Sequence, residues 1–404
     1  MKTMRIVGCV RAVVATACVA LCLNVRAAAS TNVPVRVAND GFNDVIDRND
    51  PDFVKASLLI FGPGLEFFGR AGHTSLRLEC PAFGLDNCFT RESESIKDNF
   101  PRFFLGKLKM GMFAIPTDDF LKRYELAGRQ CTQYKLNLPP DAERRLWEIM
   151  DTKVAQGRVL PYDYIRYCCV QSILQPILEA AGPNMVAFPP WPEKYAQTRR
   201  EILAENLAWC PWTRLFLHTI AGTEVDRDVP NTRKVILSPD ILALLRGTTI
   251  NGRPMLEGEG EVLLPRQVEA KPVLVTPLAV AGLLVLLAVA GAVFDLRWVA
   301  WLFLVAQSLL GALLTHLVFI SDLPATSWNW LIVPFNLLPL VFWKWRRHWA
   351  LPFVGVLVLW ELFMLLSPHR LTDPAYLVFV LAYVVLYVKI AIKDGPVFCL
   401  FQKR

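Results

Sequence analysis

Apolar and polar positions divide the chain into three stretches. Positions 12–23 are an apolar run behind a basic start, 30–270 mix apolar and polar residues as a globular sequence does, and 272–392 are mostly apolar with few charges. Within the middle stretch, 56–61 is a short β-favouring run and Gly62-Pro63-Gly64 a turn. Positions 73–78 alternate as a strand, with 73, 75 and 77 on one face and 74, 76 and 78 on the other. That alternation predicts His73, Ser75 and Arg77 pointing together into a cleft, with Leu76 and Leu78 in the core. A strand–turn succession continues to about Met112, 119–127 and 141–156 read as helices, and 131–138 between them reads as a strand. Pro139-Pro140-Asp141 is a start signal for the second helix, with Glu143 in its first turn. After Gly157 and Pro161, positions 168–178 carry Val170, Ile173, Leu174, Ile177 and Leu178 at helical spacing, which places Cys169 at a helix N-terminus.

The apolar stretch reads as a helical membrane bundle, because about 20 apolar helical residues cross a hydrocarbon core. Five segments qualify as candidates: 273–294, 299–320, 328–343, 351–366 and 375–392. The third is short and carries Asn329, Pro334, Asn336 and Pro339, as a broken or re-entrant piece would. With the middle stretch exported, Lys344, Arg346, Arg347 and His348, and later Lys393, Lys403 and Arg404, fall on the cytoplasmic side. His369-Arg370 is then the one mild violation of that bias. Segments 321–329 and 367–374 emerge on the exported side, either bordering a site there or serving as simple connectors.

The first 29 residues read as a secretory signal: Lys2, Arg5 and Arg11, the apolar run, then Ala27-Ala28-Ala29 before Ser30. Arg26 is unusual so near a cleavage site and leaves retention as an anchor open. Leu21 is too bulky for Cys22 to belong to a lipobox. The expected organisation is an exported α+β domain over 30–270, a bundle of about five helices over 271–392 and a cytoplasmic tail over 393–404, in the bacterial inner membrane. The 43 Lys and Arg against 36 Asp and Glu give a net charge of +7. Export and topology signals account for that excess without a nucleic-acid partner.

Of ten cysteines, Cys80, Cys88, Cys131, Cys168, Cys169 and Cys210 lie in the exported stretch, where disulfides are permitted. Cys80 and Cys88 are spaced to close a short loop. Of five histidines, only His73 and His218 precede the apolar third. A thiol needs a neighbouring base or a helix N-terminus to become a thiolate near neutral pH, which makes Cys169 with His73 a candidate nucleophile and base. Each has a plainer reading, as a small core residue and as a hydrogen-bonded strand histidine. His218, on an apolar helix-like stretch, reads as structural. Arg77 reads equally as an ion-pair partner, and Tyr162 and Tyr164 as packing residues or as hydroxyls that orient a substrate. No His/Cys/carboxylate cluster has zinc-like spacing, and no cofactor is expected.

Gly72-His73-Thr74-Ser75-Leu76-Arg77-Leu78, Leu105-Gly106, and Tyr162-Asp163-Tyr164 leading to a cysteine together resemble the exported domain of Lnb-type lipoprotein N-acyltransferases. Asn329-Trp330-Leu331 through Asn336 and Pro339 resembles that family's membrane segment. The resemblance covers most of 55–180 and part of 320–340; positions 181–270 match nothing nameable. It implies a permuted, NlpC-type papain-like fold with the histidine strand before the cysteine helix. It also implies transfer of a fatty acyl chain from a membrane lipid, through a thioester on Cys169, to the N-terminal amine of a lipoprotein. Arg77, Ser75, Tyr164 and Tyr162 become substrate-binding candidates. The family usually has Asn before the nucleophile, whereas here that position is Cys168, which leaves the choice of thiol and a vicinal disulfide open. Asp86 is a candidate to orient the histidine. Two other readings remain: a papain-like cell-wall peptidase or amidase, and a non-catalytic membrane assembly or sensor protein.

Overall fold

The β-favouring runs before position 140 assemble into one antiparallel sheet. A computed structural model describes residues 53–394 except 67, 268–272 and 324–325. The signal region, Cys9, Cys18, Cys22, Cys399, Lys403 and Arg404 lie outside the described residues. The strands are β1 (Lys55–Phe61), β2 (His73–Cys80), β3 (Leu85–Ser93), β4 (Lys109–Pro116), β5 (Cys131–Leu136), the two-residue β6 (Leu160–Pro161) and β7 (Leu256–Leu264), ordered β7-β5-β1-β2-β3-β4-β6. β2 is central. Phe61 pairs with His73 on one side, and Leu76 with Phe89 on the other.

Helices cover both faces of the sheet. α1 (Thr117–Leu126) places Phe120 against Leu59, Phe61 and Cys88. On the other face, α2 (Pro140–Ala155) and α3 (Cys169–Ala181) bury Leu146, Met150, Val170, Ile173, Leu174 and Ile177 against Leu58, Leu76, Leu78 and Phe89. The α3 residues are fully buried, and each aliphatic side chain so placed contributes about 1.5–3 kcal/mol. The expected helices and strands are therefore present, as an α+β domain.

Strand alternation corrects the expected Cys80–Cys88 link. Arg77 stands opposite Cys88, so Cys88 shares the His73 face, whereas Cys80 lies on the Leu76 and Leu78 face. Both are free thiols, as are Cys131, Cys168, Cys169 and Cys210.

The stretch that sequence patterns left unread folds as α4 (Arg199–Asn206), α5 (Pro211–Ile220), α6 (Ser238–Gly247) and β7, which returns to the sheet edge beside β5. α4 opens with a capping box: Thr198 accepts from the Glu201 amide, and Glu201 accepts from the Thr198 amide. The same carboxylate receives the Arg370 amide at 2.9 Å and His369 Nδ1 at 3.1 Å. One side chain thus starts a helix and holds a loop of the apolar region.

That region contains α7 (Pro277–Val293), α8 (Arg297–Phe319), α9 (Arg346–Leu366) and α10 (Pro374–Asp394). Arg297–Phe319, Trp343–Leu366 and Pro374–Lys393 are long and apolar enough to cross a membrane; Pro277–Val293 is shorter. Positions 328–343, the third candidate segment, are broken, as Pro334 and Pro339 led one to expect. A 3-10 turn at Trp330–Ile332 and a short helix at Leu338–Val341 flank the prolines. The interrupted backbone is satisfied inside the bundle, as burial in an apolar medium requires. Gln307 donates to the Pro334 carbonyl at 2.7 Å, and Trp360 to that of Trp330 at 2.9 Å.

The α+β domain rests on the 321–329 and 367–374 loops. Asn329 donates to the Thr219 and Ala221 carbonyls, Lys107 pairs with Asp322, and Thr219 bonds Tyr376 at 2.5 Å. Gly222 approaches so closely that a Cβ there would lie 2.5 Å from the Ser327 carbonyl oxygen. Arg297, Arg346, Lys389 and Lys393 gather at the other end of the bundle.

A contact sensitive to deletion is Arg214 Nε with Asp373 Oδ2, at 2.7 Å, because Asp373 is only 1% exposed. Arg214→Ala leaves that carboxylate buried without its cation and is expected to cost about 3 kcal/mol. Denaturant unfolding in micelles should show the loss, and adding Asp373→Asn should recover most of it.

Candidate active site

α3 starts where it does because Cys168 terminates the preceding loop as its N-cap. Cys168 Sγ accepts from the Gln171 amide at 3.5 Å, and Cys169 is the first helical residue. Asp163 shapes the approach by accepting from the Ile165 and Arg166 amides at 2.9 Å, in a compact turn. The apolar stripe of α3 then fixes its rotation on the sheet, and Cys169 comes to rest at the start of β2.

That start depends on Gly72. Its φ of +78° is a left-handed conformation, and a Cβ there would meet the Phe61 carbonyl at 2.9 Å and Ser238 Oγ at 3.3 Å. Glycine therefore lets β1, β2 and α6 converge beside Cys169. The Thr74 amide, next to His73, and the Val170 amide favour the thiolate form of Cys169.

Cys169, Cys168, His73, Tyr162 and Tyr164 line one cavity of about 260 Å³, which Glu92 also reaches. Ser75 and Arg77 are not among its lining residues, contrary to the expected convergence. Ser75 is fully buried and donates to the Phe89 carbonyl at 2.9 Å. Arg77 is held by Asp86, Glu79 and Gln133. Asp86 accepts from Arg77 and from Thr117, so its carboxylate serves that cluster rather than the histidine. Only the first residue of β2 reaches the cavity, because further along the strand the same face is covered by α1.

His73 is oriented by neighbours on β3. Its Nε2 lies 2.8 Å from Thr90 Oγ1, which donates to Glu92 Oε1 at 2.9 Å; Glu92 itself is 3.8 Å from Nε2. The ring stacks on Tyr124 and leans toward Phe61 and Phe120. Cys169 belongs to the helix on the opposite face, and no hydrogen bond joins it to His73. The two meet only as walls of the cavity. Thr90 and Glu92 were not legible as site residues, although their i, i+2 spacing on one strand face beside His73 is a signal that register makes readable.

Burial governs the electrostatics. It lowers the His73 pKa to about 3, with Arg129 adding to the shift. Burial also raises the Cys169 thiol above its ordinary value, against the pull of the Thr74 and Val170 amides, and it raises Cys168 as well. The helix N-terminus therefore does not lower the thiol pKa overall; desolvation outweighs it. Thiol and imidazole rest neutral together. Tyr162 and Tyr164 stay protonated by the same burial, and the buried Tyr164 hydroxyl has no hydrogen-bond partner.

One wall of the cavity comes from the unread stretch: Leu203 of α4 and Leu207 just after it, Thr213 and Leu217 of α5, and Ile236 and Leu237 before Ser238. Together with Ile96 and Met110 these make mostly apolar walls. The 321–329 and 367–374 loops hold the domain but contribute no lining residue among the described ones. His218 is buried, with both ring nitrogens unpartnered, outside the cavity lining. No cluster of three or more potential metal ligands occurs among the described residues.

Residues 42–203 match the family model of the Lnb N-terminal periplasmic domain. An Lnb-type domain is thus present over this part of the chain. The match takes in β1 to β6, α3 with both adjacent cysteines, and the first half of α4, and stops before the segments that complete the cavity. No curated protein and no solved structure matches the chain. The chain is thus a membrane protein with a periplasmic domain.

Iodoacetamide should alkylate Cys169 slowly at neutral pH and progressively faster into the alkaline range, because a raised thiol pKa delays thiolate formation. Peptide mass spectrometry across pH would read this; a rate already at plateau in acid would mean a preformed thiolate–imidazolium pair. Acid should also weaken the fold. Unfolded His73 takes its proton near pH 6.5 and the folded ring only near 3, so stability falls as pH drops through that window.

Proposed function

We propose that this protein is an acyltransferase of the bacterial inner membrane, moving a fatty acyl chain from a lipid ester to the N-terminal amine of a lipoprotein through a thioester on Cys169. The observation that carries the reading is an apolar cavity that joins a helix-start cysteine to an oriented, neutral histidine, on a domain fastened to a helical bundle. The histidine strand precedes the cysteine helix, the order of permuted papain-like folds.

In this mechanism His73 Nε2 is engaged by Thr90, which leaves Nδ1 to take the proton of Cys169. The sulfur attacks the ester carbonyl. Amides at the start of α3 and the unpartnered Tyr164 hydroxyl stabilise the tetrahedral oxyanion. The C–O bond breaks, the leaving alcohol oxygen receives the proton from His73, and the acyl group remains on sulfur. The amine then attacks the thioester, the C–S bond breaks, and its surplus proton returns through His73 to the thiolate. An amide and free Cys169 result. Apolar walls limit water, which would otherwise hydrolyse the thioester.

Cys169 is the preferred nucleophile because the Cys168 sulfur is committed to capping α3. Thr90 and Glu92 act as positioning residues that hold the ring. A papain-like peptidase would use the same pair, but apolar walls on a membrane-bound domain favour a lipid ester over a peptide.

The test labels lipoproteins in cells lacking their own N-acyltransferase. The wild-type chain should convert diacyl to triacyl forms, Cys169→Ala and His73→Ala should not, and Cys168→Ser should keep most of the conversion. Full conversion by Cys169→Ala, or none by the wild type, sinks the reading. Thr90→Val should slow conversion about tenfold, the worth of one orienting hydrogen bond.

A further inference from the structure

A second and larger cavity, of about 640 Å³, runs along the outer side of α3. Five cations line it: Arg91 from β3, Lys153 from the last turn of α2, Arg158, Arg166 and Arg233. Glu179 is the one carboxylate in the lining among the described residues. Arg166 is neutralised by Asp163 and Glu224. The others form no ion pair among the described residues: Arg91 donates to Ser172 Oγ at 3.1 Å, and Arg233 to Gln171 Oε1 at 3.4 Å. Arg91 is half-buried, and burial lowers its pKa, as happens when a guanidinium is desolvated without a counter-charge. Apolar side chains, among them Met112, Leu160 and Phe188, complete the walls. A cavity with surplus positive charge over an apolar lining matches an amphiphilic anion.

Arg91 also lines the cavity that holds Cys169, so one guanidinium stands in the wall common to both. A glycerophospholipid has the matching form, since only two or three glycerol carbons separate its phosphate from its acyl esters. The Arg166 end is tied to the membrane side, because the backbone amide of its partner Glu224 donates to the Ser327 hydroxyl oxygen at 3.2 Å.

We infer that this basic cavity binds the phosphate of a phospholipid head group, with Arg91 holding the phosphate beside the Cys169 cavity while an acyl ester enters it. The acyl donor is then a phospholipid rather than a neutral glyceride, and the leaving product is a lysophospholipid whose freed hydroxyl carries the returned proton. The role as donor site rests on the acyl-transfer reading; phosphate-dependent lipid binding does not.

The test uses the full chain with Cys169→Ala, in micelles of a neutral detergent, so that binding is read without turnover. Dihexanoylphosphatidylglycerol, dihexanoylglycerol and inorganic phosphate are compared by titration calorimetry. The phospholipid should bind, and the neutral glyceride should not saturate. Arg91→Gln should weaken phospholipid binding about tenfold or more, as expected for one charge-assisted contact. The double variant Lys153→Gln with Arg158→Gln, at sites without ion-pair partners, should weaken it to a similar degree. Unchanged affinity in both variants, equal binding of the glyceride, or inorganic phosphate binding as tightly as the lipid would each overturn the inference. Failure to form any acyl-Cys169 in the wild type would sink the acyl-transfer reading and leave this binding result standing. Acylation of Cys169 equally from neutral glycerides would sink this inference alone.

Discussion

The seating of α3 on β2 is the contact from which the rest of the site follows. Val170, Ile173, Leu174 and Ile177 have one rotation in which all four reach Leu76, Leu78 and the neighbouring strands. A one-residue slip would turn the helix by about 100° and carry Cys169 out of the cavity. The N-terminal end of that helix faces the start of β2, where Gly72 allows three elements to crowd together. The Thr74 amide therefore favours the Cys169 thiolate, and His73, one residue earlier, reaches the same cavity from the other face of its strand.

The same closeness sets the charge state. Taking a thiol and an imidazole out of water disfavours the ion of each, so their pKa values move apart and both stay neutral. A helix N-terminus and two amides do not reverse this at Cys169. An exposed papain-type pair would hold a ready thiolate. Here, on the acyl-transfer reading, the proton moves only when an ester fills the apolar cavity, which suits a chemistry in which stray water is the competing acceptor. Thr90 and Glu92 keep the ring placed meanwhile, and Arg91 links the site to the basic cavity along α3.

Position relative to the membrane comes from a different set of groups. Glu201, Arg214, Thr219 and Gly222 belong to α4, α5 and the turn after them, and they take hold of the two loops on one end of the bundle. The same segments supply Leu203, Leu207, Thr213 and Leu217 to the cavity. Docking and cavity wall are thus two sides of one structure, so a substitution that loosens the dock is transmitted to the site.

Local pattern was enough for much of this. Alternation marked β2, the spacing of Val170 to Ile177 marked α3 and placed Cys169 at its start, the prolines at 334 and 339 marked a broken membrane segment, and runs of apolar residues marked the bundle. Each is a statement about neighbours in sequence, where side-chain periodicity and backbone chemistry act directly. Alternation also grouped Ser75 and Arg77 with His73, but it could not say that α1 covers that face beyond the first residue, nor that Asp86 turns to Arg77. It likewise could not separate Cys80 from Cys88 without the register of β3. Thr90, Glu92, the α4–α5 walls and the shared position of Arg91 lie 17 residues or more from the partners that give them meaning. Those contacts depend on strand pairing and helix packing, and burial then reversed the thiol shift that a helix N-terminus alone predicts.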